Sequence, residues 1–274
     1  MIGLVIALAA AAVCAVVYFF LTAGSRPRED GAWLTGWRYA HRGLHDEARP
    51  ENTIPAFSAA IKHGYGIELD VHLSRDGRLV VFHDDRLARV TGRTGRVEDY
   101  TAEELQTFAV CGTQYTIPLL ADVLRETAGR VPLLIETKNE GAAGELEVKL
   151  YQAMRDYPGR YAVQSFSPFS MGWFKKHAPD VLRGQLSCDF SMGAEHIARV
   201  KRFAVRHLLT NALCRPHFIS YEVNGIHTNV VQRLRRRGVP ALCWTVRSEK
   251  TAEEMGAFAD TIIFEGFCPG QGER

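Results

Sequence analysis

Apolar positions along the chain fall into three regimes. From Ile2 to Thr22 they run almost unbroken, and the first charged side chain is Arg26. A short polar stretch follows, to about residue 36. Beyond it, strand-length apolar runs alternate with segments carrying apolar residues at helical spacing. The pattern predicts strands at residues 39–40, 67–71, 79–82, 133–135, 161–163, 181–186, 207–209, 241–244 and 261–264. Helices are predicted at 54–62, 102–108, 119–128, 144–154, 171–177, 194–203, 228–237 and 251–258. Several open on N-cap chemistry, such as Thr101 before Glu103-Glu104 and Ser248 before Thr251. This βα alternation over roughly 230 residues predicts an α/β fold, a (β/α)8 TIM barrel first and a doubly wound open sheet second. There is no internal repeat and no low-complexity segment. The expected organisation is an anchor over 1–24, a linker over 25–36 and a barrel over 37–270.

The N-terminal run of 21 residues would span roughly 32 Å as a helix, the thickness of a bilayer's hydrocarbon core. A buried core helix and a cleaved signal peptide are the alternatives. Leu21-Thr22-Ala23 could serve as a weak cleavage site, but the basic residues that open a signal peptide are missing. We read one uncleaved N-terminal transmembrane helix. No Lys or Arg precedes it, whereas Arg26, Arg28 and Arg38 follow, which places the barrel on the cytoplasmic side of the cell membrane. Cysteine usage agrees with a reducing compartment. Cys14 lies in the span, and Cys111, Cys188, Cys214, Cys243 and Cys268 are scattered without CxxC spacing.

Composition narrows the class. The 274 residues are 46% hydrophobic and 23% charged, enough for a real core and incompatible with a disordered chain or a small disulfide scaffold. A net charge of +2 gives no case for a broad nucleic-acid-binding face, so no nucleic-acid partner is expected.

In a barrel the chemistry belongs where strands end, and the unusual residues fall there. His41-Arg42 follows the first strand, Glu68 and Asp70 share one face of the second, His83 closes the next apolar run, and Glu136 and Lys138 close residues 131–135. Glu68, Asp70 and Glu136 offer three hard oxygen ligands, suited to Mg²⁺ or Ca²⁺; a single such carboxylate would more simply form an ion pair. His41 and His83 can move protons near neutral pH, although an isolated histidine is more often structural. Arg42 and Lys138 add fixed positive charge, pointing to an anionic substrate such as a phosphate ester. Their ordinary alternatives are pairs with Glu51 and Glu140.

Other features carry less. His83-Asp84 resembles the helical HD phosphohydrolases only in letters, because Val80-Val81-Phe82 reads as strand. Residues 92–96 are Gly-rich but lack the end of a P-loop. His72 shares the Glu68/Asp70 face without an evident role. Arg233, Arg235, Arg236 and Arg237 read as a solvated helix end, with anionic lipid as the alternative. Trp244 reads as a packed strand residue or a pocket wall.

Together these residues resemble the glycerophosphodiester phosphodiesterases. The resemblance rests on Ala40-His41-Arg42-Gly43, Pro50-Glu51-Asn52-Thr53, Ile67-Glu68-Leu69-Asp70-Val71, Val80-Val81-Phe82-His83-Asp84, Glu136-Thr137-Lys138 and Trp244-Thr245-Val246. It runs from about residue 37 to 265. It implies a (β/α)8 barrel that hydrolyses glycerophosphodiesters to sn-glycerol 3-phosphate and an alcohol with a divalent cation. Glu68, Asp70 and Glu136 would hold the metal, which would bridge the phosphate and the glycerol 2-hydroxyl. His41 and His83 would be the acid–base pair for attack through a cyclic phosphate, with the two roles unassigned. Arg42 and Lys138 would neutralise the phosphoryl charge, Glu51 would orient Arg42 or the glycerol end, and Trp244 would line the pocket. The chain departs from the family's Thr-Asp-x-Pro-like closing strand end, having Ile263-Phe264-Glu265-Gly266-Phe267 instead, a difference expected to bear on the barrel lip and the alcohol side and to leave the metal and both histidines untouched. Neither the alcohol, the choice of Mg²⁺ or Ca²⁺, nor the oligomeric state follows from these residues. A lysophospholipase D acting through the same site, and a catalytically silent phosphodiester-binding barrel, are the competing expectations.

Overall fold

The computed structural model describes residues 2–27, 29–139, 141–189 and 199–270. After a helix at Ile2–Leu21 and a 3-10 helix at Glu29–Gly36, the strands are β1 Tyr39–Ala40, β2 Gly66–Leu73, β3 Leu79–Val81, β4 Leu133–Thr137, β5 Tyr161–Ser165, β6 Leu182–Ser187, β7 Phe218–Glu222, β8 Ala241–Val246 and β9 Thr261–Phe264. All except β3 pair in parallel, and β1 pairs with both β2 and β9, which closes an eight-stranded barrel. The TIM-barrel expectation holds.

The third predicted strand is real but lies outside the barrel. β3 folds back antiparallel on β2 after a turn at Gly77, whose φ of 70° suits glycine. It opens an excursion to Leu119 with its own small core of Val80, Phe82, Leu87, Val90, Leu105 and Ile117. This excursion carries His83. The strand expected at 207–209 is a turn, with Leu208 at φ 55°. The sixth barrel strand is instead β7, Phe218–Glu222, whose inward Ser220 and Glu222 interrupt the apolar run that the pattern sought. The helix expected at 102–108 stops at Leu105, and the one expected at 194–203 occurs as Arg199–Arg206, with 194–198 outside the described residues.

Alternation along the strands gives the barrel a dry foot and a polar head. Tyr39, Leu134, Ala162, Leu182, Phe218, Leu242 and Ile263 pack together inside, with Leu34 of the 3-10 helix closing the end. Tyr39 donates to the Leu34 carbonyl at 2.8 Å. Two residues further along their strands, the inward positions become Glu68, Glu136, Gln164 and Ser220, and Ser220 donates to Gln164 at 2.7 Å. Large rings at the foot need empty space beside them. A Cβ on Gly184 would lie 2.0 Å from the Phe218 ring, and one on Gly66 would lie 2.7 Å from Tyr39. The second apolar layer, between barrel and helices, uses the opposite strand faces: Ile67, Leu69, Val71, Leu133, Ile135 and Val163.

Phe218→Ala removes a large ring from the foot without touching the polar head. Loss of stability by about 3–5 kcal/mol is expected in chemical denaturation, with the far-ultraviolet spectrum of the folded protein preserved.

Candidate active site

The polar head begins with a register. Asp70 on β2 stands opposite Glu136 on β4, and Glu68 stands one inward position earlier. Oxygen atoms of Glu68, Asp70 and Glu136 all lie within 4.8 Å of one another, and all three residues are buried. Burial and the charges of Asp70 and Glu136 push the Glu68 carboxyl well up. Glu136 is raised chiefly by burial. Burial would also raise Asp70, but Lys138, His83 and Arg42 outweigh it and hold Asp70 below its ordinary range. Two buried carboxyls pushed toward their protonated forms beside a third held ionised, all offering oxygen, fit a hard divalent cation.

Cations already lean on this cluster from two sides. Lys138 Nζ lies 2.9 Å from Asp70 Oδ1 and 2.7 Å from Glu136 Oε1, and these carboxylates keep its pKa raised against the effect of burial. Arg42 donates its backbone N–H to Glu68 at 3.0 Å and Nη1 to Glu51 at 2.7 Å, and its Nε lies 3.6 Å from Asp70. Glu51 also accepts two hydrogen bonds from Arg89; these arginines overcome burial and hold its pKa at about 2. The Arg42–Glu51 pair expected from sequence therefore exists, and it is part of the site. Lys138 turns to the carboxylate cluster; Glu140 lies outside the described residues.

Backbone geometry explains the motif letters around Arg42. Arg42 and Asn52 both sit at φ 56°, and Gly43 at φ 83°. A Cβ on Gly43 would come 2.9 Å from the Ala56 backbone, so only glycine lets this loop close over the following helix. The tight path brings Asn52 Nδ2 to Asp70 Oδ2 at 2.8 Å, while its backbone N–H reaches the Arg42 carbonyl. Asn52 belongs to the Pro50-Glu51-Asn52-Thr53 motif, whose letters alone assign it no role.

Each candidate histidine is tethered through Nδ1. His41 Nδ1 lies 2.5 Å from Glu265 Oε2, and Glu265 also accepts from Arg247 at 2.7 Å. His83 Nδ1 lies 2.6 Å from Asp84 Oδ1, and Asp84 accepts from Arg89. A carboxylate on Nδ1 fixes the ring and leaves Nε2 for a substrate. Glu265 is held far below its ordinary range, first by its hydrogen bond to His41. It lies in the segment where the chain departs from the family ending, a difference expected to leave both histidines untouched; the structure corrects that expectation, because this segment holds the His41 ring. His72 Nε2 contacts the His83 carbonyl at 3.2 Å and thereby braces the loop that bears His83.

A cavity of about 380 Å³ opens on this cluster, lined among others by His83, Glu136, Lys138, Ser165, Phe166 and Ser167. Trp244 stands behind the lining, edge-on to Phe166 with ring centres 5.8 Å apart, and its indole N–H is buried without a partner.

The carboxylates and two tethered histidines stand at the strand ends, where a barrel of this kind carries its chemistry, and comparison with known proteins is specific. The model of the glycerophosphoryl diester phosphodiesterase family matches residues 41–263. A glycerophosphodiester phosphodiesterase of Caldanaerobacter subterraneus subsp. tengcongensis is 31% identical over 238 residues, covering 82% of this chain and 91% of the relative. Among solved structures, an Oleispira antarctica phosphodiesterase in complex with the product sn-glycerol-3-phosphate gives a TM-score of 0.70 at 24% identity, covering 83% and 92% of the two chains. The Thermotoga maritima glycerophosphodiester phosphodiesterase gives 0.63 at 24% identity, covering 82% and 92%. The chain belongs to the glycerophosphoryl diester phosphodiesterase family. It is a phosphodiester hydrolase acting on glycerophosphodiesters.

His72 is buried, and that burial lowers its pKa to about 4 from an ordinary 6.5. Below pH 6.5 the unfolded chain takes a proton that the folded one refuses until pH 4. Stability is therefore lost as pH falls through that window, by about 3 kcal/mol at most from this group. His72→Gln keeps a donor for the His83 carbonyl, and its denaturation midpoint should fall less steeply between pH 7.5 and 4.5.

Proposed function

We propose that the protein is a membrane-anchored, divalent-cation-dependent phosphodiesterase that releases sn-glycerol 3-phosphate from water-soluble glycerophosphodiesters. The observation that carries this reading is the meeting of three buried carboxylates with His41 and His83, each tethered through Nδ1. Glu68, Asp70 and Glu136 would hold Mg²⁺ or Ca²⁺, which when bound supplies Lewis-acid polarisation of the phosphoryl group. Arg42 and Lys138 present positive charge to the non-bridging oxygens, where negative charge grows in the transition state. The Nε2 atoms of His41 and His83 face the reaction: one accepts the proton of the attacking 2-hydroxyl while the other protonates the leaving alcohol, and with roles reversed the pair lets water open the resulting cyclic phosphate to sn-glycerol 3-phosphate. Glu51 positions Arg42, Asn52 positions Asp70, and Glu265 and Asp84 position the two rings. Trp244 shapes the substrate wall through Phe166.

Ile2–Leu21 is a helix long and apolar enough to cross a membrane, with none of its side chains buried against the protein. We assign residues 1–24 as a single-pass anchor, 25–36 as the connection and 37–270 as the barrel, on the cytoplasmic side by the arginines that follow the span. The connection is apolar where it meets the barrel, through Leu34.

Glycerol 3-phosphate release from glycerophosphocholine tests this reading. Turnover with Mg²⁺ or Ca²⁺ should vanish in excess chelator and return on adding metal. Glu68→Ala should abolish both turnover and metal binding by calorimetry while leaving the circular dichroism unchanged. His41→Asn and His83→Asn should each lower kcat by about 10²–10⁴-fold with metal binding retained. Full activity in chelator, or in Glu68→Ala, would overturn the assignment.

A further inference from the structure

The span does not hang free of the barrel; its carboxyl end is built into the foot. Thr22 is fully buried, and its carbonyl accepts from the buried Asn211 at 3.1 Å. Arg215 donates to the carbonyls of Phe20 at 2.7 Å and Ala23 at 3.3 Å, so helix-end acceptors are satisfied by the barrel. Arg233 reaches the Thr22 hydroxyl, and Arg26 Nε donates to the Arg237 carbonyl at 2.5 Å. At Gly24 the packing leaves no room, since a Cβ would lie 2.9 Å from the Pro216 carbonyl oxygen and 3.1 Å from Val239. The same arginines cover the aromatic end of the span. Arg215 lies 4.4 Å from the Phe20 ring centre, and Arg233 lies 4.6 Å from Phe19 and 5.0 Å from Tyr18.

Pro216 and Val239 stand immediately before β7 and β8, at the amino-terminal end of the barrel. Glu68, Asp70, Glu136 and the histidines stand at the other end. One strand length, roughly 15–20 Å, therefore separates the docking face from the cluster, whereas the headgroup layer of one leaflet is only about 5–8 Å thick. Arg26, Arg236 and Arg237 are exposed around the docked helix, where the negative surface of a bilayer would meet them.

From this geometry we infer that the amino-terminal face of the barrel lies on the membrane, its arginine collar against anionic headgroups, and that the catalytic mouth opens away from the bilayer toward water-soluble diesters. This rests on the proposed function for the site and on the anchor reading, and it decides between soluble diesters and lysophospholipids of the same membrane. A lysolipid would have to leave the bilayer entirely to reach the mouth, at about a fourfold loss of population per methylene withdrawn.

The test uses the full chain in nanodiscs of phosphatidylcholine with and without phosphatidylglycerol, followed by hydrogen–deuterium exchange and by turnover. Anionic discs should protect residues 233–238 relative to detergent and leave 83–86 and 165–167 unprotected. Arg236→Glu with Arg237→Glu should lose that extra protection and keep wild-type turnover of glycerophosphocholine. Choline release from a long-chain lysophosphatidylcholine held in the disc should be about tenfold or more slower than from glycerophosphocholine. Protection at 83–86 or 165–167, or comparable turnover of the disc-held lysolipid, overturns the inference. Collar protection without turnover of either substrate upholds the docking and overturns the proposed activity instead.

Discussion

Three carboxylates buried within 4.8 Å of one another are the constraint around which the rest of this structure is arranged. Their mutual repulsion, buried at the polar head, is expensive, and each neighbouring group offsets part of it. Lys138 lies against two of them, the Arg42 backbone N–H serves the third, and Asn52 caps the remaining face of Asp70. The unusual backbone at Arg42, Gly43 and Asn52 follows from this demand, because only a tightly folded loop brings an amide, a guanidinium and a carboxamide to one place. Burial and the charges of Asp70 and Glu136 still push the Glu68 carboxyl up beside these groups. A divalent cation would supply compensating positive charge.

A second tier of carboxylates works on the histidines. Glu265 and Asp84 each hold an Nδ1, and arginines in turn hold them, Arg247 for one and Arg89 for the other. Arg89 also bonds Glu51, which bonds Arg42. The excursion that carries His83 is thus tied by charge to the loop that carries Arg42, and two elements far apart in sequence are fixed relative to one another. Glu265 performs on His41 the task that Asp84 performs on His83, from a strand end whose sequence differs from the family ending.

The barrel divides its labour by height. Its foot is closed by Tyr39, Phe218 and Leu34 and receives the apolar helix; its head holds the charges. The same parallel polarity that gathers strand ends into one site puts the helix junction at the opposite end. The helix junction and the carboxylate cluster then occupy opposite ends of the barrel.

Much of this was legible in the chain itself. Strand-like runs alternating with helical ones specified the barrel, because burial against helices on one side and against a packed interior on the other leaves a local periodicity. Glu68, Asp70, Glu136, His41 and His83 were legible because charged or titratable groups at strand ends contradict that apolar pattern. Local pattern failed where burial was decided by distant partners. Phe218–Glu222 is a strand because its Ser220 and Glu222 face a polar interior built by other strands, and the apolar 207–209 turns instead. Trp244 packs edge-on against Phe166, a contact that no local pattern specifies. The pairing of His41 with Glu265 joins residues 224 positions apart, and the seating of Thr22 on Asn211 spans 189. Sequence determined which residues must be hidden and which must be charged. Tertiary closure alone decided which charges meet, because those distances are set by the barrel register and by no local preference of the chain.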